Sequence, residues 1–151
     1  MLDAEQKMKL LISDRPWEHE PDNEEWVHEP TGYKCTIWRH PTHGQLNGYV
    51  AIPKGHKCHG VSEETLNNQV EVHGGLTYMG TDKETGEYVV GFDTNHHNDF
   101  APKLVMTIMQ YSSWEDAEWE LKERGTYRDW AYVKEQVEKL AEQLEFLNKE
   151  K

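Results

Sequence analysis

The sequence predicts an α+β fold: a central, mostly antiparallel sheet with a short N-terminal helix and a long C-terminal amphipathic helix packed on it. Three observations carry this. The middle of the 151-residue chain holds short runs rich in β-branched and aromatic residues, divided by Gly, Pro and Asn turns. The C-terminal segment instead repeats its apolar residues at helical spacing. Neither a G-x-G-x-x-G fingerprint nor a G-x-x-x-x-G-K-S/T phosphate loop is present, which argues against the classical nucleotide folds.

The elements follow in order, in a single domain over 1–151. Residues 1–15 form a short helical pattern with Leu2, Met8, Leu10, Leu11 and Ile12, ended by Pro16. Residues 16–32 read as an extended acidic connector. Glu18 to Glu29 carries six acidic residues and no Lys or Arg, and Trp17 and Trp26 are placed to tack it onto the core. Residues 33–110 are the sheet region. Tyr33–Arg39 and Gly48–Pro53 are strands joined through turn residues, a hairpin. Val70–His73 and Leu76–Met79 are short strands broken at Gly74-Gly75, and Glu87–Asp93 is an apolar strand. For Leu104–Met109 the period does not separate strand from helix. Residues 114–149 hold two helices. In the second, Trp130, Val133, Val137, Leu140, Ala141, Leu144 and Leu147 make one stripe, with Thr126 to Asp129 as a capping pattern. Helix-mediated dimerisation stays open beside a monomer.

Composition narrows the function. Six Trp and seven Tyr argue against disorder. A net charge of −12 argues against duplex nucleic acid as a partner, because phosphate neutralisation needs a Lys/Arg surplus. Two cysteines, Cys35 and Cys58, make no disulfide framework and are expected to be buried thiols. The N-terminus lacks a basic region followed by an apolar one, and no apolar run approaches a membrane span. The expectation is a cytoplasmic protein.

The chemistry-bearing residues concentrate in the sheet region, where seven of nine histidines fall between His40 and His97. The apolar strand ends in Asp93-Thr94-Asn95-His96-His97-Asn98-Asp99, and its upstream companion is His73-Gly74-Gly75. Asp and His at strand ends, beside glycine, are the materials of a metal or acid/base site. His73, Asp93, His96 and Asp99 are therefore the candidate catalytic residues. The same four are the candidate ligands of a divalent metal, zinc or manganese. Against this stands a solvated loop, since Asn, His, Asp and Gly are loop formers. Arg39 and His56 are candidates for an anion-binding rim, with an ion pair to the acidic segment as the other reading of Arg39. His56-Lys57-Cys58-His59 shows one half of a zinc site and no second half. No nucleophile elbow is present.

The order Gly48-Tyr49-Val50, Gly55-His56, His73-Gly74-Gly75-Leu76-Thr77, Gly91-Phe92-Asp93-x-x-His96-x-x-Asp99, then Tyr127-Arg128-Asp129, resembles a family of small uncharacterised proteins of bacteriophage and prophage genomes. The resemblance covers roughly Tyr33 to Leu144. The family often has Cys where Thr94 stands here, which argues against a thiol mechanism at that position. The resemblance implies no activity. It implies a context: a phage accessory protein in the cytoplasm of a bacterial host. Two expectations follow. One is a small hydrolytic enzyme around the His/Asp cluster. The other is a non-enzymatic anti-defence protein that binds a host protein or holds a small anionic ligand such as a nucleotide.

Overall fold

The computed structural model describes residues 2–150. Helix α1 (Ala4–Leu11) opens on a reciprocal cap: Asp3 accepts from the Gln6 amide, and the Gln6 side chain accepts from the Asp3 amide. Strands β1 (Asn23–His28), β2 (Tyr33–Arg39), β3 (Leu46–Ile52), β4 (Tyr78–Thr81) and β5 (Tyr88–Asp93) form one antiparallel sheet in the order β1-β2-β3-β5-β4. A short helix, α2 (Glu63–Asn67), lies between β3 and β4. The chain ends in α3 (Pro102–Met109), α4 (Trp114–Glu123) and α5 (Trp130–Lys149). Among the described residues no helix is long and apolar enough to cross a membrane.

The sheet begins earlier than the acidic composition suggests. Residues 16–32 are not a connector: Pro16–Glu18 is a 3₁₀ turn, and β1 pairs with β2 from Asn23↔Trp38 to His28↔Tyr33. As an edge strand, β1 leaves Glu24 and Glu25 in solvent while Trp26 and His28 pack inward, so its acidity reflects its position. Trp17 stacks near Phe100 and Tyr127, and Lys134 lies 5.2 Å over the Trp26 ring. Both tryptophans hold this segment down, as expected.

One further element differs from its sequence reading, and one left open between strand and helix is decided. Val70–His73 is not a strand. Gly74 and Gly75 both adopt left-handed backbone, and the turn is held by Asn67, whose amide side chain bonds both the N–H and the C=O of Leu76. Leu104–Met109 is helical, with Pro102 pre-setting its first turn, and Val105 and Met109 buried one turn apart.

Helix α5 packs on β2 and β3. Cys35, Ile37, Val50, Val90 and Phe92 meet Val133, Val137, Leu140 and Leu144, all at most 1% exposed. Gly48 permits the contact: a Cβ there would lie 2.7 Å from the Phe92 ring. The helix starts at Trp130, capped by Asp129, and not at Tyr127. Thr126 is unavailable as a cap because its backbone pairs with Asn98 and Phe100. A second cluster joins α1, α3 and α4 through Met8, Phe100, Val105, Met109 and Ala117. Among the described residues, α5 is the helix that packs on the strands of this sheet, through β2 and β3.

Candidate functional site

The two loops converge at one end of the sheet. Alternation along β5 sends Phe92 into the core and Asp93 to the open face. Antiparallel pairing of β4 with β5 extends to a bond from the Thr77 N–H to the Gly91 carbonyl, which brings the double-glycine turn beside Asp93. The Thr77 hydroxyl donates to Asp93 at 3.0 Å. His96 Nε2 lies 3.2 Å from the other Asp93 oxygen. It is within ion-pair distance but not aligned for a hydrogen bond, so this buried nitrogen has no hydrogen-bond partner. The His73 and His96 rings are 5.9 Å apart. His73, Asp93, His96 and Asp99 therefore share one site.

Within it, the four residues divide into two pairs. Asp99 is buried and fully engaged: His73 Nε2 lies 2.9 Å from both oxygens, Arg128 Nε donates at 2.8 Å and the His96 amide donates at 3.0 Å. Burial pushes the Asp99 carboxyl up, but the bonds from His73, Arg128 and the His96 amide outweigh it and hold the group below its ordinary value. With Nε2 donating to Asp99, a neutral His73 accepts from the Tyr132 hydroxyl at Nδ1, at 2.7 Å. Both His73 nitrogens are thus taken. His96 and Asp93 are more open, with side chains 35% and 29% exposed.

Gly74 makes room for His96. A Cβ at this position would overlap the imidazole, and its φ of +68° is one that side chains rarely adopt. His96 forms part of the wall of a cleft of about 380 Å³, together with Asn95, Leu104, Trp119, Glu123 and Arg124. That volume suits a small ligand.

Arg39 is not at this site. It is buried and bonds Asp22, Glu20, the Gly44 carbonyl and the Tyr127 hydroxyl, so it anchors the acidic segment in place of an anion. His56 is not at the rim either. Its Nδ1 accepts from the Cys58 amide and its Nε2 lies 3.0 Å from the Leu144 carbonyl, at the far end of α5. Burial holds its pKa below the ordinary value. His59 bonds the Gly86 carbonyl, so the half zinc site is absorbed by backbone. Among the described residues no group of three or more His, Cys, Asp or Glu side chains is arranged to hold a metal ion. At the His/Asp cluster the reason is visible: Asp99 is spent on His73 and on the cation of Arg128. Cys35 and Cys58 are free and buried. Burial first, then the Glu138 charge, pushes Cys35 up to about 12, and burial raises Cys58. Neither thiol is an activated nucleophile.

Arg128, Tyr132 and Gln136 were not among the candidate site residues read from the sequence. Arg128 lies just ahead of α5 and the other two in its first turns, and Gln136 accepts from the His73 amide at 2.9 Å. A basic residue just ahead of a helix, and a polar tyrosine one turn inside an apolar stripe, are the only local signals they leave. Comparisons with protein-family models, with curated proteins and with solved structures found no match for this chain.

Proposed function

We propose that the chain is a small hydrolytic enzyme of phage type, working without a metal in the bacterial cytoplasm, with His96 as its general base. The observation that supports this is a part-exposed His96 on the wall of a ligand-sized cleft, with the Asp93 carboxylate 3.2 Å behind it. Asp93 lies 3.2 Å from Nε2 and orients the ring. The nitrogen left basic takes a proton from a water molecule. The water oxygen attacks the scissile centre, the bond to the leaving group breaks, and the proton passes from His96 to that group. His73, Asp99, Arg128 and Tyr132 hold the loop in place and are positioning residues. The test is turnover of chromogenic esters, phosphoesters, phosphodiesters and glycosides by the parent and by His96→Gln. Activity on one class, lost in the variant at an unchanged melting temperature, supports the reading. No turnover by the parent on any class refutes it.

A second reading, a non-enzymatic protein that binds a host protein, draws on a different observation. Tyr111, Trp114 and Trp119 are 89%, 40% and 61% exposed on and just ahead of α4, and Trp119 lines the cleft. Exposed aromatics are common at protein interfaces. Binding with no catalysis, abolished by Trp119→Ala and untouched by His96→Gln, would favour it.

A further inference from the structure

The frame that holds the His/Asp loop is also a chain of three groups in the order acid, base and hydroxyl. Asp99, with its side chain only 1% exposed, accepts from His73 Nε2 at 2.9 Å. At the other ring nitrogen, Nδ1, His73 accepts from the Tyr132 hydroxyl at 2.7 Å. Helix α5 sets this geometry with two side chains one turn apart: Tyr132 holds the His73 ring and Gln136 holds its amide. The imidazole is thereby fixed in position and tautomer. A base that is to take a proton from a neighbouring hydroxyl needs both.

We propose that Tyr132 is a nucleophile that takes an acyl group from an activated carboxylic ester, with His73 as its general base. The phenolic oxygen attacks the carbonyl carbon and forms the new C–O bond. Its proton passes to His73 Nδ1, and Asp99 faces the imidazolium that results. As the carbonyl re-forms, the bond to the leaving group breaks. That group departs with the electron pair, and the proton on His73 passes to it or to solvent. Tyr132 is left as an aryl ester, so one ester is exchanged for another and no oxidant or reductant is needed.

The surroundings fit this donor class. Tyr132 and His73 are both part-exposed, and the residue after His73 is Gly74, which has no side chain to cover the pair. The Arg128 guanidinium carbon lies 5.4 Å from the centroid of the Tyr132 ring. Its Nε is spent on Asp99 and its Nη2 reaches the Asn98 carbonyl, while its Nη1 has no hydrogen-bond partner among the described residues. That nitrogen is a donor left over for a carbonyl oxygen that gains charge. Because Asp99 neutralises Arg128, the site has no net positive charge to offer the anionic oxygens of a phosphoryl donor. A neutral ester meets no such barrier.

The readout is a covalent bond at Tyr132, so it stands apart from turnover at His96. The full chain is treated with p-nitrophenyl acetate at neutral pH, and acetyl groups are located over time by peptide mass spectrometry. Tyr111, 89% exposed, is the internal standard for an unassisted phenol. The expected result is acetylation of Tyr132 about 100-fold or more faster than of Tyr111, the lower end of what a positioned base supplies. His73→Gln should bring Tyr132 down to about the rate of Tyr111. Unfolding the parent in urea should do the same, which keeps the test readable even where His73→Gln disturbs the fold. A smaller excess of Tyr132 over Tyr111 in the folded parent, or none, overturns the proposal. So does a fast Tyr132 that persists in urea or in a folded His73→Gln variant.

Discussion

Asp99→Ala separates the frame of the site from its working pair. The substitution strands three donors: His73 Nε2, Arg128 Nε and the His96 amide. The Arg128 side chain is 24% exposed and regains water. The His73 side chain, 12% exposed, largely does not, and the His96 amide loses its only carboxylate acceptor. At roughly 1–3 kcal/mol for each donor left buried, the cost is about 3–5 kcal/mol, the range seen when one partner of a buried pair is deleted. In a domain of this size about 1 kcal/mol moves Tm by about 2–4 °C, so a fall of about 10 °C is expected. Asp93→Ala removes a part-exposed acceptor whose partners rehydrate, and should shift Tm by about 2 °C. Calorimetry of both variants checks this. The acid limb gives a second reading. Because folding lowers the Asp99 pKa, its stabilisation is fully present above the ordinary value of 3.8 and is lost as pH falls through the depressed one. Asp99→Asn should therefore unfold less steeply below that pH. An Asp99→Ala variant that melts within about 2 °C of the parent would refute the idea that this carboxylate frames the loop.

Val137→Asp buries an unpaired charge between α5 and the sheet, and should cost several kcal/mol, of order 3 or more, in denaturant unfolding. His56 is buried neutral, with its pKa lowered by burial. Its contribution is present above the ordinary value of 6.5 and is lost as pH falls below it, so the parent should lose stability on mild acidification in urea melts, and His56→Gln should lose less over that window. Neither Cys35 nor Cys58 should react with a thiol reagent in the native state, and both should titrate on unfolding. Fast reaction before unfolding would contradict their burial.

What the sequence disclosed follows from where each signal is stored. The α5 stripe was legible because Val133, Val137, Leu140 and Leu144 are all buried by one partner surface, so the period survives intact. The convergence of His73 with His96 was legible because it needs only neighbouring strands to pair. The β1 strand was not, because an edge strand shows one buried face, and its acidic residues imitate a loop. The ion pair of Arg39 with the acidic segment was legible, because Glu20 and Asp22 lie nearby in sequence, whereas its Tyr127 partner, 88 residues away, was not. The same distance in sequence concealed Arg128 and Tyr132: their role exists only once α5 lies against the double-glycine turn.

That dependence on α5 sets an order of events during synthesis. His73, Asp93, His96 and Asp99 all leave the ribosome before Arg128, Tyr132 and Gln136, whose bonds fix the geometry of the loop. The three-strand meander β1-β2-β3 can pair as it emerges, since its contacts are local. The His/Asp loop has no such early support. A nascent or truncated chain can therefore carry every candidate catalytic side chain and still be unable to act, so any activity of this protein would appear late and all at once, when the last helix docks.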